Sequence, residues 1–447
     1  VRGLSARGIR RALAASLALA LSWSASPALA ARGGPDLIAG AASGEVALPQ
    51  GIPLGGYGGF PRRAWLPDFL GRYPYAFWFR PSIGVHDPIK VRGLVLESGP
   101  VRVLWLAADL VGIDPGLLTD LRQRLARRGL RYSTVIVSAS HTHSGPGAYV
   151  DSALFSFLAV DRLAPAVRAH LIDALEEAAR RAETGKVRAR VASGRTEVQD
   201  IALSRVQEPL DQELGVVKIM GVDGRPVAAI WNYAIHGTAL GRGNLLLSAD
   251  LMGDAGARIE REIGAPALFV NGAVGDVSPR PRGWVGVQTA GRALASGVLR
   301  AWGHASSEPS GLEVAIERVP LPPPMVALRN CLRGWAPAWM TIGLREVLPA
   351  ATEVIAVRIG RTAWVTIPGE LETRLGLEIK ARGASRFRHV FIAGVSNDYL
   401  GYFLVPADYR RPSYIACGSL YGERGGEVMR DAATAALKRL GAGEVRR

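Results

Sequence analysis

Apolar segments that run without a break into histidine, acid or serine beside glycine recur along this chain. They restrict its fold more than any other feature. Val135-Ile136-Val137 leads to Ser140-His141-Thr142-His143-Ser144-Gly145-Pro146-Gly147, and Ile230 to Ile235 leads to His236-Gly237-Thr238. Leu268-Phe269-Val270 leads to Asn271-Gly272-Ala273-Val274-Gly275-Asp276-Val277-Ser278-Pro279. Trp364 to Ile367 leads to Pro368-Gly369-Glu370, and Val390-Phe391-Ile392 leads to Ser396-Asn397-Asp398-Tyr399. Short apolar runs bounded by glycine read as buried strands, and α/β folds gather their sites where strands end.

Between these runs the spacing turns helical, as at Leu117, Leu118, Leu121 and Leu125. Helices are expected over 116–128, most of 151–182, 250–263, 286–302, 371–382 and 426–440. Further strands are expected at 101–108, 134–138, 312–319 and 353–359, with a hairpin of 214–220 and 226–233 across Val222-Asp223-Gly224-Arg225. Pro320 to Pro324 reads as a surface crossover, because strand–helix alternation resumes after it. The pattern predicts an α/β fold: a single large mixed-sheet domain, helices packed on the sheet and a zinc site at strand ends.

Arg2, Arg7, Arg10 and Arg11 precede the apolar stretch Ala12 to Leu21, followed by Ser26-Pro27-Ala28-Leu29-Ala30. That order reads as a secretory signal peptide over 1–30, cleaved after Ala30, so a secreted or periplasmic protein is expected. Residues 31–40 read as a linker and 41–440 as one folded domain. The formal net charge of +15 is spread over segments such as Arg122 to Arg131 and Arg180 to Lys186. Export and dispersal argue against nucleic acid and fit weak peripheral attraction to an anionic membrane surface. Cys331 and Cys417 are the only cysteines, so one disulfide is permitted and no cysteine-rich metal framework exists. A metal here must use histidine, carboxylate or tyrosine.

His141 and His143 stand two apart at a strand end, a spacing that points side chains to one face. Two imidazoles converging there suit zinc with an open coordination position. The Gly145-Pro146-Gly147 turn then offers room for a substrate to reach the backbone, and the glycine-rich Gly51 to Gly59 marks a close backbone approach. Taken singly, His236 reads as a hydrogen-bonded core histidine and Glu370 as a helix N-terminal carboxylate. Taken together they point to a metal site.

At this point a resemblance becomes specific. Ser140 to Gly147, His236-Gly237-Thr238, Gly275-Asp276-Val277-Ser278-Pro279 and Pro368-Gly369-Glu370 resemble, in order, the motifs of the neutral/alkaline (non-lysosomal) ceramidases. Gly84-Val85-His86, Ser413-Tyr414 and Leu420-Tyr421-Gly422 look like further landmarks, so the likeness runs from about Ala41 to Tyr421. It implies one catalytic Zn2+ per chain held by His141, His236, Glu370 and Tyr402, with Tyr399 the alternative phenol. It implies His143 as the proton-transfer group, Ser278 beside the scissile amide, Tyr414 on the oxyanion side and Arg205 in the pocket. Ser278 is read as orienting the substrate, with a nucleophilic role the rival reading. Asp276 and Asp109 are read as partners that fix nearby histidines or backbone.

Arg280 stands where the family usually has asparagine, and the chain ends where full-length members continue into an immunoglobulin-like domain. The expected function is that of a zinc-dependent amidohydrolase cleaving the amide of ceramide or a related N-acyl lipid. The alternatives are a hydrolase of smaller amides or esters on the same scaffold, and a non-catalytic zinc-containing lipid-binding envelope protein.

Overall fold

The computed structural model describes residues 36–441, Glu208 excepted. The expected signal peptide lies outside them. The main strands are numbered in chain order: β1 Leu37–Glu45, β2 Lys90–Ser98, β3 Val101–Ala108, β4 Thr134–Ala139, β5 Val187–Glu197, β6 Glu213–Gly221, β7 Pro226–Tyr233 and β8 Ala267–Asn271. Then follow β9 Leu312–Pro320, β10 Ala351–Ile359, β11 Thr362–Thr366 and β12 His389–Ala393. The principal helices are α1 Pro115–Arg127, α2 Pro165–Thr184, α3 Asp250–Ile263, α4 Gly283–Gly303, α5 Thr373–Gly383 and α6 Gly425–Arg439.

The α/β class is as expected, but the strands sort into two principal sheets. The larger runs β8-β7-β6-β5-β1-β2-β3-β4, with a short strand Ser306–Glu308 on β5, and the smaller runs β9-β10-β11-β12. Both are mixed: β4 lies parallel to β3, β8 to β7 and β12 to β11. Alternate residues of one strand join different cores. In β3, Val103 and Trp105 face the smaller sheet, while Leu104 and Leu106 face α1 and α2. In β11, Trp364 faces β3, with Trp105 and Trp364 ring centroids 5.2 Å apart, whereas Ala363 and Val365 face α5 and α6. On the β7–β8 side, Trp231 and Phe269 pack under α3 and α4. The sheets therefore meet face to face with helices on both outer sides. Burial on both faces is why these strands read as unbroken apolar runs.

Although β4 and β8 are opposite ends of the larger sheet, they come together. Asn271, the last residue of β8, donates its amide to the carbonyl of Ser140 (3.2 Å), and the chain leaving β12 lies between them. Gly394 N donates to Asn271 O (2.8 Å), Ala139 N to Val395 O (3.0 Å) and Asn397 N to Val137 O (2.9 Å). The larger sheet thus curls around the smaller one until its edges are stitched by the exit of β12.

Beyond shifts of one to three residues at element ends, three features differ from expectation. Residues 37–40 belong to β1 and not to a linker, because Leu37 and Ala39 are wholly buried between the sheets. Helix over 151–182 is broken: a short turn of helix ends at Val160, Asp161 takes φ 68°, and α2 starts afresh at Pro165. Leu371 and Glu372 precede α5, since Glu370–Leu371 pairs in parallel with Tyr402–Phe403. Cys331 and Cys417 form a disulfide, tying the excursion between β9 and β10 to the short helix Tyr414–Cys417.

Candidate metal centre

The ends of β4, β7, β11 and β12 bring the expected side chains to one buried point. His141 follows β4, but it does not reach the site through the strand pleat. The strand stops at Ala139, and His141 takes φ 64°, a left-handed backbone that costs on the order of 1–3 kcal/mol for a non-glycine residue. Its amide donates to Leu110 O (2.9 Å), and the His143 amide donates to Gly237 O (2.8 Å). The two imidazoles therefore converge through a turn locked to the His236 loop, with ring planes at 90° and centroids 4.8 Å apart.

Two contacts set the tautomers. Nδ1 of His141 lies 2.6 Å from the Val111 carbonyl, and Nδ1 of His236 lies 2.8 Å from the Val277 carbonyl. A carbonyl only accepts, so each Nδ1 carries the proton and each Nε2 presents a bare lone pair. Burial, with Arg205 adding to it, lowers the His236 pKa to about 3, which keeps that ring neutral near pH 7. Both lone pairs face Glu370: His141 Nε2 is 3.3 Å from Oε1, and His236 Nε2 is 2.9 Å from Oε2. Despite that closeness, neither His236 Nε2 nor Glu370 Oε2 has an aligned hydrogen bond. Burial alone would raise the Glu370 carboxyl; positive charge at His141 and His236 would hold it well below the usual range, and with both rings neutral a bound cation is what would supply that charge. Two bare nitrogens and a carboxylate meeting without hydrogens between them repel one another unless a cation sits among them. Nδ1–H donated to a backbone carbonyl is also the usual support for a metal-binding imidazole. The donor set fits a divalent metal of the zinc type.

Around this centre, His143 Nε2 lies 3.3 Å from His141 Nε2, and the nitrogens of His141, His143 and His236 fall within 4.8 Å of one another. Burial and the neighbouring imidazoles press the His143 pKa well below its ordinary value, and its Nδ1 has no hydrogen-bond partner. Tyr399 donates its hydroxyl to Glu370 Oε1 (2.6 Å). Tyr402 is also beside Glu370, and burial followed by that carboxylate raises both phenols well above 10. Arg205 donates Nε to Ser278 Oγ (2.8 Å) and Nη1 to Gly275 O (3.3 Å). Its guanidinium lies 5.4 Å from the Tyr414 ring centroid. Although the Tyr414 residue is largely exposed, desolvation of its hydroxyl where it meets Arg205 pushes that group up to about 12, against the lowering by Arg205. All eight expected site residues therefore belong to one neighbourhood, with Tyr414 at its exposed rim.

The two supporting acids hold backbone, one of the two roles expected of them. Asp276 accepts from the amide and hydroxyl of Thr373 (2.8 and 2.7 Å), fixing the backbone just beyond Glu370. Asp109 accepts from Lys90 N (3.0 Å) and Arg92 (3.4 Å) and touches no histidine. The Gly145-Pro146-Gly147 turn offers no room to substrate. A Cβ on Gly145 would meet Asp109 O at 2.7 Å, and one on Gly147 would meet Val160 O at 2.6 Å, so both glycines admit protein backbone. The close approach of the glycine-rich loop is real: at Gly56, φ 105°, a Cβ would lie 2.6 Å from the His143 ring. Tyr57, edge-on to His143 at 4.9 Å, is a site residue the sequence reading missed, although that loop signalled it.

Residues 71–293 match the family model described as neutral/alkaline non-lysosomal ceramidase, N-terminal. That stretch holds His141, His143, Arg205, His236 and Ser278 but not Glu370, Tyr402 or Tyr414. Over 233 residues the chain is 26% identical to the neutral ceramidase of Mycobacterium tuberculosis, covering 45% of this chain and 36% of that protein. Over 235 residues it is 23% identical to the neutral ceramidase of Pseudomonas aeruginosa, covering 47% and 34% respectively. The matched part is thus about a third of each relative's length. The crystal structure of the Pseudomonas aeruginosa neutral ceramidase superposes with a TM-score of 0.76 at 18% identity, over 91% of this chain and 75% of that one. A likeness at that identity speaks for the fold.

Proposed function

The chain belongs to the neutral/alkaline non-lysosomal ceramidase family, and from that premise we propose that it is an exported, zinc-dependent amidohydrolase. Its substrate on this reading is ceramide or a related N-acyl lipid, cleaved to fatty acid and amine. The observation that carries the reading is the approach of two bare imidazole nitrogens to the Glu370 carboxylate. His141, His236, Glu370 and Tyr402 are the proposed holders of the metal. A zinc ion there would supply Lewis acidity toward the amide carbonyl and acidify water.

The chain's own groups have separable tasks. His143, neutral and with Nδ1 unpartnered, is free to accept a proton and return it to the leaving amine. Arg205 fixes the Ser278 hydroxyl through a charge-assisted bond and so orients the substrate beside the scissile bond. Tyr414, protonated at neutral pH, can donate to the oxygen on which charge develops.

Zinc content and turnover of the purified protein test the assignment. His141→Ala is expected to lose both zinc and activity. His143→Ala is expected to keep most zinc while kcat falls ~100-fold or more. Loss of metal from His143→Ala would reassign that residue as a ligand. Wild-type protein that binds no zinc would refute the proposal.

A further inference from the structure

The loop that walls the metal centre has an apolar, solvent-exposed tip. Its base is Gly56 and Tyr57 against His143. Its tip carries Trp65, Leu66, Phe69 and Leu70, exposed by 86%, 76%, 76% and 82%. Four large apolar side chains within six residues and facing water are unusual in a segment that is otherwise well anchored. The anchoring is explicit. Asp161 accepts the amides of Phe77, Trp78 and Phe79 (2.9, 3.0 and 3.0 Å). Ala64 N donates to Trp78 O (3.0 Å), Asp68 N to Phe77 O (3.0 Å) and Arg80 N to Arg62 O (2.8 Å). The tip is thus held outward by its own backbone bonds.

From these contacts we infer that this tip docks on an anionic lipid bilayer and inserts at the depth of the headgroups. The inference rests on the lipid-amide reading of the site for its purpose, though not for its geometry. Tryptophan with leucine and phenylalanine is the composition that partitions into the membrane interface. Charge selects the surface: Arg80 and Arg162 are exposed around the tip. Asp68, the one acid in residues 60–80, is buried and paired with Arg72 at 3.1 Å. Exposed arginine near a bilayer attracts anionic headgroups, about fivefold in affinity for each charge. No helix among the described residues is long and apolar enough to cross a membrane, so contact through them would be interfacial. Because the base of the same loop touches His143, docking would bring the catalytic centre to the surface where a two-tailed amide resides.

Co-sedimentation with vesicles, of phosphatidylcholine alone or of equal parts phosphatidylcholine and phosphatidylglycerol, tests this. The wild type is expected to bind the mixed vesicles. A combined Trp65→Ser, Leu66→Ser, Phe69→Ser and Leu70→Ser variant should bind at least ~10-fold more weakly, with an unchanged melting temperature and unchanged turnover of a water-soluble short-chain amide. Arg80→Gln with Arg162→Gln should weaken binding to the mixed vesicles alone. Equal binding by the combined variant, or no vesicle binding by the wild type, would overturn the inference. So would a wild-type dimer, seen by light scattering, that the combined variant loses, since the tip would then be a protein interface. Vesicle binding that depends on the tip, in a protein that cleaves no N-acyl amide, would support docking while removing the substrate reading.

Discussion

At the residue scale, Ser278 shows how geometry narrows a role. Its hydroxyl accepts from the Arg205 guanidinium at 2.8 Å, and a cationic donor on the oxygen holds that lone pair away from nucleophilic attack. Such a bond is worth about 1.5–3 kcal/mol. Ser278→Ala is therefore expected to lower kcat/KM by roughly 10- to 150-fold while zinc content is unchanged, and pre-steady-state traces of the wild type should show no product burst. A burst of one equivalent would restore the nucleophile reading. Chemistry-bearing residue types beside glycine were legible as candidates. What could not be read was which carbonyl each imidazole faces. Val111 and Val277 set the tautomers through backbone oxygens, which leave no trace in side-chain identity.

Elements were legible where both faces of a strand are apolar, as in β3, β7 and β8, and in the strongly periodic α3. Strands β1, β2 and β5 escaped notice, and they share one cause. Gly40 in β1 and Gly93 in β2 face the backbone of α2 at Ala182 and Ala178, and Gly194 in β5 faces α4 at Ala301. Close helix crossing demands small residues, and those lower the strand propensity that a sequence reading depends on. The glycine-rich loop obeys the same logic at the site. Gly56→Ala would push a methyl group into the His143 ring from a left-handed backbone that alanine resists. Its expected effect is a fall in kcat of ~10-fold or more with zinc retained, measured by metal content beside steady-state kinetics. Unchanged kcat would mean that His143 tolerates displacement and has no positioned role.

For the whole molecule, the layer between the two sheets is the decisive contact. Trp364 is buried against Trp105 on one side and Phe391 on the other, with centroids 5.2 and 4.9 Å away. Because β11 also leads to Glu370, this packing ties stability to the metal centre. Trp364→Ala is expected to cost about 3–5 kcal/mol, read as a lowered denaturation midpoint, a large share of the roughly 5–15 kcal/mol that keeps a domain folded. A shift below about 1 kcal/mol would mean that the sheets do not depend on this contact.

Sequence alone determined that the fold is α/β, that the reactive residues sit at strand ends and that their types suit a metal, because burial pattern and donor chemistry are local properties. The left-handed turn at His141, the division into two sheets and the meeting of β4 with β8 were decided only in three dimensions. Those depend on which faces find one another, and the curl that stitches opposite edges of the larger sheet around β12 joins residues more than a hundred positions apart.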